Sequence, residues 1–295
     1  MLAELETEPF DSPDHLFEIK WDGTRCIAYV EGKSLQLRNR NHFELREQFP
    51  ELECLRSLPN ATVLDGEIIV LDEGKPSLSK AMQRNHATDP KRIDILSQRL
   101  PATLMVFDLI FVRGKSVAEK PLTDRRKALE ELIGDLGSPH VLVPDFVIEQ
   151  GRAYFESAVE FGLEGIMAKR LDSSYLIGKR TRDWLKIKAA QIGTFDILGY
   201  VQRENEPVVS ALLLAMWYRN RWLYKGKVGS GFTEAQRAEF FERLSKAPPL
   251  DDPPKDGPTG AVWRATGLRC TVRFFEKSVH GKLRSPIFES VQEGI

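Results

Sequence analysis

The stretch FEIKWDGTR, residues 17–25, sets Lys20 in a strand-like apolar run and follows it at once with Trp21, Asp22 and Gly23. A lysine in a strand ordinarily faces water, and alone Lys20 would be expected to do no more. Its companions change that expectation. Glu18 lies two residues earlier and therefore on the same strand face, Asp22-Gly23 has the composition of a turn, and Arg25 opens the next strand. An amine attacks an electrophile only when neutral, so desolvation or nearby positive charge must weaken its hold on the proton. Arg25, other basic residues and a bound divalent metal could supply that charge. The chemistry in view is covalent catalysis by a lysine.

The elements that must hold such a group can be read from periodicity. FEIKWDGTRCIAYVEGKSLQLRNR reads as strand, turn, strand, with EGKS as a hairpin connection into a third strand. ATVLDGEIIVLD and ATLMVFDLIFV are apolar, rich in β-branched residues and too short for typical helices, and PSLSKAMQR between them reads as a short helix. TDRRKALEELIGDLG places Asp124 as an N-cap, Leu129, Leu132 and Ile133 at helical spacing and Gly137 at the end. GRAYFESAVEFGLEG repeats that design. The expectation is a mixed α+β domain over residues 1–190.

After WLKIKAAQIG the pattern changes to short strands with tight connections: FDILGYVQ, VVSALLLAMWY, RWLYKGKVG and LRCTVRFFEKS. One helix interrupts them, TEAQRAEFFERLSK, in which Thr233 and Gln236 have capping-box spacing. Five or so strands with one helix fit a small Greek-key barrel of the OB type over residues 191–295. The prolines of APPLDDPPKDGPTG make that segment a loop.

Composition narrows the class. With 42 Lys and Arg against 43 Asp and Glu, the whole-molecule field cannot attract a polyanion, so nucleic-acid binding would need local patches. Cys26, Cys54 and Cys270 form no CxxC pair, which suggests neither a zinc site nor a disulfide framework and fits a reducing cytoplasm. No apolar run approaches the roughly 20 residues that span a bilayer, and the N-terminus is acidic where a signal peptide would be basic. No membrane association or export is expected.

EIKWDGTR resembles the E-x-K-x-D-G-x-R signature of the covalent nucleotidyltransferases: ATP-dependent DNA ligases, RNA ligases and mRNA-capping guanylyltransferases. The resemblance implies that Lys20 attacks the α-phosphorus and carries the nucleotide as a phosphoramidate, with Glu18 and Arg25 in the same nucleotide site. Further motifs of the family follow in order. LRNRN holds Arg40, expected at the nucleotide sugar and the DNA end, and LDGEIIV holds Glu67, expected near the ribose and metal. VFDLIF supplies Phe107 to stack on the purine, and EGIMAKR supplies Glu164 for the metal and Lys169 for the phosphates. WLKIK supplies Lys186 and Lys188, which alternate onto one strand face and can both reach the α-phosphate. Attack on a triphosphate collects negative charge on oxygen, so these cations and a Mg²⁺ or Mn²⁺ ion held by Glu67 and Glu164 are what the chemistry needs.

Within that superfamily the chain looks like the ligase domain of bacterial ligase D, over nearly its whole length. The resemblance implies an ATP-dependent DNA ligase acting on nicked duplex DNA as a monomer, with a DNA-end-binding protein as a candidate partner. Basic tracts expected at DNA are GKRTRDWLKIK, with Arg180 and Arg182, and RNRWLYKGK. The tail LRSPIFESVQEGI keeps Arg284, Pro286 and Phe288 of a motif that orients the pyrophosphate leaving group, but lacks the basic residues that follow in the family. Self-adenylylation is therefore expected to suffer more than sealing by an already charged enzyme. The rival readings are an RNA ligase, a capping guanylyltransferase, and a nucleic-acid-binding relative without catalysis.

Overall fold

The computed structural model describes residues 1–278 and 280–293, so the last two residues of the SVQEGI tail lie outside the described residues. The chain divides into two compact units, Met1–Ala189 and Ala190–Ile295. Strands of four or more residues are numbered in chain order. In the first unit these are β1 (Leu2–Glu6), β2 (Ser12–Ile19), β3 (Thr24–Glu31), β4 (Ser34–Asn39) and β5 (Thr62–Asp72), then β6 (Ala102–Val112), β7 (Phe146–Glu149), β8 (Gly165–Arg170) and β9 (Arg180–Lys188). Its helices are α1 (Leu78–Asn85), α2 (Pro90–Arg99), α3 (Leu122–Leu136) and α4 (Gly151–Glu160).

Two sheets result. One has the order β1-β9-β8-β2-β7, and the other the order β4-β3-β5-β6 with the two-residue strand Lys115–Ser116 at its edge. Alternation along the strands divides each sheet into an apolar and a polar face. In the first sheet Phe17, Ile166, Ala168, Leu185 and Ile187 pack with Ala158 of α4. The intervening residues Glu18, Met167 and Lys186 form one cross-strand row on the opposite face. In the second sheet Leu37, Leu64 and Leu104 pack with Leu52 and Leu55 of a 3₁₀ segment and with Leu129 and Ile133 of α3. The EGKS connection is a two-residue turn between Glu31 and Ser34.

The start of α3 differs from the expectation. Pro121 is the N-cap, without a side-chain cap bond, and Asp124 lies in the first turn. Leu122 is fully buried and the Thr123 amide donates to the Leu171 carbonyl, so tertiary docking and not a cap sets where this helix begins. Gly137 ends it in the left-handed conformation at φ 60°.

The second unit contains β10 (Gln191–Gln202), β11 (Val209–Tyr218), β12 (Arg221–Val228), α5 (Glu234–Ser245), β13 (Ala261–Phe274) and β14 (Ile287–Glu293). They form one sheet of order β12-β11-β10-β13-β14. Just past β12, Ser230 bridges Ile287 of β14, and the Phe288 amide donates to the Ser230 carbonyl at 2.9 Å, which joins the two edges of the sheet. Phe240 and Leu244 of α5 pack into the resulting core beside Leu212, Leu214 and Val272. Thr233 and Gln236 make the reciprocal capping box. Strand β13 begins at Ala261 rather than at Leu268, because Gly267 at φ 63° lets it bend and continue past what reads as a loop end. No helix among the described residues is long and apolar enough to cross a membrane.

The glycine after Asp22 is required by close approach, not by its own dihedral angles. A Cβ at Gly23 would strike the Ile68 carbonyl oxygen of β5 and lie 3.1 Å from Ile69 Cγ2. Gly23→Ala should therefore lower the unfolding free energy by about 1–3 kcal/mol, as overpacking does. Urea denaturation of the two proteins measures it.

Candidate active site

The polar faces of the two sheets enclose a cavity of about 240 Å³. Glu18, Lys20, Arg25, Arg40, Glu67, Phe107, Lys169, Arg180 and Lys186 all line it. Glu164 joins the group through an ion pair with Lys20 at its edge, and Lys188 through a second ion pair with Glu164. Arg182 instead pairs with Glu6 at 3.1 Å beside a separate groove, and Arg284 is exposed in the second unit.

Backbone register explains the convergence. Lys20 follows the end of β2, and its amide donates to the Gly165 carbonyl at 3.0 Å, which brings it alongside Glu164. Gly165 has φ 142°, and a Cβ there would lie 2.8 Å from Lys188 Cα, so only glycine lets β8 begin this close to β9. On the second sheet Arg25 is the cross-strand partner of Glu67 and Ile27 that of Asp65, which puts Arg25, Asp65 and Glu67 on one face. Asp65 pairs with Asp108 and Gly66 with Val106, leaving Phe107 as the extra residue of a β-bulge that re-aims its ring toward the cavity.

The charges are opposed group by group. One Glu164 oxygen binds the Lys20 ammonium and the other binds Lys188 at 2.5 Å. Burial alone would raise the Glu164 carboxyl, but the two lysines outweigh it and hold it below the usual carboxylate range. Glu18, buried, accepts from Arg126 at 2.8 Å and pairs with Lys169. The Lys169 ammonium, fully buried, stands 4.4 Å from the Phe107 ring centroid and 4.3 Å from that of Trp184, and desolvation lowers its pKa. Asp65, fully buried, receives Arg25 through Nε at 3.0 Å and Nη2 at 2.6 Å, and Tyr175 Oη at 2.7 Å. Glu67 is the exception: burial pushes its carboxyl up to about 8 against the opposing pull of Lys20 and Arg25.

Sequence reading passed over Trp184, Asp65, Tyr175 and Arg126. Trp184 could have been found, since it lies two residues before Lys186 and so extends the same strand face. Asp65 likewise precedes Glu67 by two. Tyr175 sits in the irregular connection between β8 and β9 and Arg126 in α3, both outside the motifs, and only the fold brings them in.

Comparison with known proteins decides the family. Residues 1–188 match the family model described as ATP dependent DNA ligase domain, and residues 205–294 match that described as ATP dependent DNA ligase C terminal region. The chain belongs to the ATP-dependent DNA ligases. It is 32% identical to the SPbeta prophage-derived DNA ligase-like protein LigB of Bacillus subtilis, over 98% of this chain and 97% of that protein. It is also 32% identical to the multifunctional non-homologous end joining protein LigD of Pseudomonas aeruginosa, over 99% of this chain but only 35% of that protein. Among solved structures, the ligase domain of M. tuberculosis LigD is 28% identical with a TM-score of 0.59, covering 99% of this chain and 93% of that one. Membership in this family supports the DNA-ligase reading over the RNA-ligase and capping-enzyme ones, and its members form phosphodiester bonds in DNA.

Two outcomes follow from the charge pattern. Tyr175→Phe removes a hydrogen bond to a buried carboxylate and should cost about 1.5–3 kcal/mol of unfolding free energy, measured by urea denaturation. For Glu67, a folded-state carboxyl raised to about 8 from an ordinary 4.5 means that the folded protein holds a proton the unfolded chain releases. Without divalent cations, stability should thus fall as pH rises from the ordinary carboxylate range through about 8, and Glu67→Gln should flatten that slope in unfolding measured at several pH values.

Proposed function

We propose that this chain seals nicks in duplex DNA through a lysyl-adenylate on Lys20, and that the residues lining the cavity divide the work. The observation that carries the reading is Lys20 on the wall of the cavity, with Lys186 beside it and Lys188 joined to it through Glu164. An ammonium locked to a carboxylate has no lone pair to offer, so the Lys20–Glu164 pair is a resting arrangement. For attack the pair must part and Nζ must give one proton to water, and a second follows as the phosphoramidate forms. The new bond joins Nζ to the α-phosphorus, the bond from that phosphorus to the bridging oxygen of pyrophosphate breaks, and Lys186 and Lys188 oppose the charge that gathers on the α-phosphate. The adenylate then passes to a 5′-phosphate, and the neighbouring 3′-hydroxyl displaces AMP.

Phe107 supplies the stacking face for adenine. Lys169 is buried behind that ring and paired with Glu18, which favours a place on the base side of the cavity over the phosphate contact its motif implies. Arg25, clamped by Asp65, and Arg40 point to the ribose side, and Arg40 and Arg180 are suited to meet DNA phosphates at the cavity mouth. Arg182 and Arg284 remain candidates for DNA and leaving-group contact.

No group of three or more His, Cys, Asp or Glu side chains is assembled for a metal among the described residues. A divalent cation would therefore be held by one or two carboxylates, its own waters and nucleotide phosphates, as Mg²⁺ commonly is. Glu67 fits that role, because a carboxyl pushed up to about 8 by burial lacks the positive charge a dication brings. Glu164, already neutralised by two lysines, fits it once Lys20 has left. When bound, the cation would neutralise charge on the phosphates. Repair of breaks in an end-joining setting, with a DNA-end-binding partner, is the pathway that the LigD relatives favour.

Intact mass after incubation with ATP and Mg²⁺ should show a gain of one AMP, absent in Lys20→Ala. On singly nicked duplex DNA, wild-type protein should seal in the presence of ATP, and pre-adenylylated protein should seal faster in a single turnover. No mass gain in correctly folded protein would defeat the reading.

A further inference from the structure

The connection between β11 and β12 carries a run that the nucleotide cavity does not use, Met216-Trp217-Tyr218-Arg219-Asn220-Arg221-Trp222. The barrel core ends at Ala215, and the last pairs of the hairpin, Met216 with Leu223, Trp217 with Trp222 and Tyr218 with Arg221, project beyond it. Trp217 is 52% exposed and Tyr218 47%, an unusual use of the two largest aromatic types on a surface. Alternation places them on opposite faces of the hairpin. Neither ring swings freely: Trp217 packs on Trp222 with centroids 4.8 Å apart, and the Arg219 guanidinium lies 5.1 Å from the Tyr218 ring centroid.

Charge adds the second observation. From Met216 to Lys227 the chain holds Arg219, Arg221, Lys225 and Lys227 and no carboxylate, and although Asp252 and Asp256 share a groove with Arg221 and Lys225, Arg219 at the tip is outside it. The turn residues Arg219 and Asn220 have φ 49° and 59°. A two-residue turn of this hand favours Asn or Gly, and Arg219 occupies it against that preference. The tip thus presents two pinned aromatic faces flanked by cations. A fully paired duplex offers phosphates to the cations but hides the faces of its bases, whereas unpaired bases offer both π-faces and phosphates.

We infer that the β11–β12 hairpin is a stacking platform for unpaired bases of single-stranded DNA, such as a frayed or overhanging end. The inference goes beyond nick sealing and does not depend on Lys20. It is tested by fluorescence anisotropy of a labelled oligothymidylate of about 12 nucleotides, within the span one such barrel covers. Replacing both aromatics, Trp217→Ala with Tyr218→Ala, should weaken binding about tenfold or more. Arg219→Gly should lower the slope of log affinity against log salt by about one phosphate contact. That variant relaxes the turn, so it carries the test if the aromatic variant misfolds. Lysyl-AMP formation from ATP should stay at the wild-type level in both, since the residues that line the nucleotide cavity all belong to the first unit. Unchanged single-strand affinity in the variants would overturn the inference and leave the hairpin as a protein-docking face. An equal loss on blunt, fully paired duplex would overturn it as well.

Discussion

An ionised side chain taken out of water must meet an opposite charge or surrender its own, and the first unit is organised around that requirement. Glu164 is shared by Lys20 and Lys188, Glu18 by Arg126 and Lys169, and Asp65 takes Arg25 and Tyr175, while Asp108 behind the bulge takes Arg125. Such pairs add little net stability, because desolvation offsets most of the attraction. Breaking one is costly, because it strands the partner. Their consequence is therefore positional. Lys20, Arg25 and Lys169 are each held at one place by a carboxylate whose own charge would otherwise be stranded.

The backbone does the rest. Glu18, Met167 and Lys186 occupy one row across three strands, and Leu16, Lys169 and Trp184 occupy the next. A one-residue slip in β8 would turn Lys169 into the apolar face and Ala168 into the cavity, so the hydrophobic pattern that fixes register also fixes the chemistry. The bulge at Phe107 is a place where the cavity departs from strict alternation, and there it presents an aromatic ring; a second register break falls between Ala3 and Glu4, where β1 meets β9.

Much of this was legible beforehand, for identifiable reasons. Strands such as TVLDGEIIVLD and helices such as LSKAMQRN carry their period in their own residues, and Lys186 with Lys188 announced their shared face by spacing alone. Several features escaped, among them the helix α2 and the strand β7, and three of them depend on other segments of the chain. Strand β1 is made of LAELE, with no strong alternation, and exists because β9 offers it an edge. Strand β14 is mostly polar and exposed, and it is recruited by pairing with β13. The start of α3 is set by where Leu122 docks. In each case the information lies in another segment of the chain. The same holds for the site, where motif residues were visible and the groups that orient them, Tyr175 and Arg126, were not.

Burial raises the Glu67 carboxyl to about 8, and that shift bears on how the site would change when a nucleotide enters. A triphosphate brings negative charge to a cavity whose cations are already committed, so entry is favourable only with added positive charge or with release of an existing pair. Both routes are built in. Under the proposed reading Glu67 would take a dication, and Lys20 shares its carboxylate with a second lysine. Because Lys188 holds the other oxygen of Glu164, departure of Lys20 does not strand a bare carboxylate, and the cost of freeing Lys20 for the proposed attack stays small. A site with one lysine on Glu164 would have to choose between a stable free state and a reactive amine, and the second lysine removes that choice.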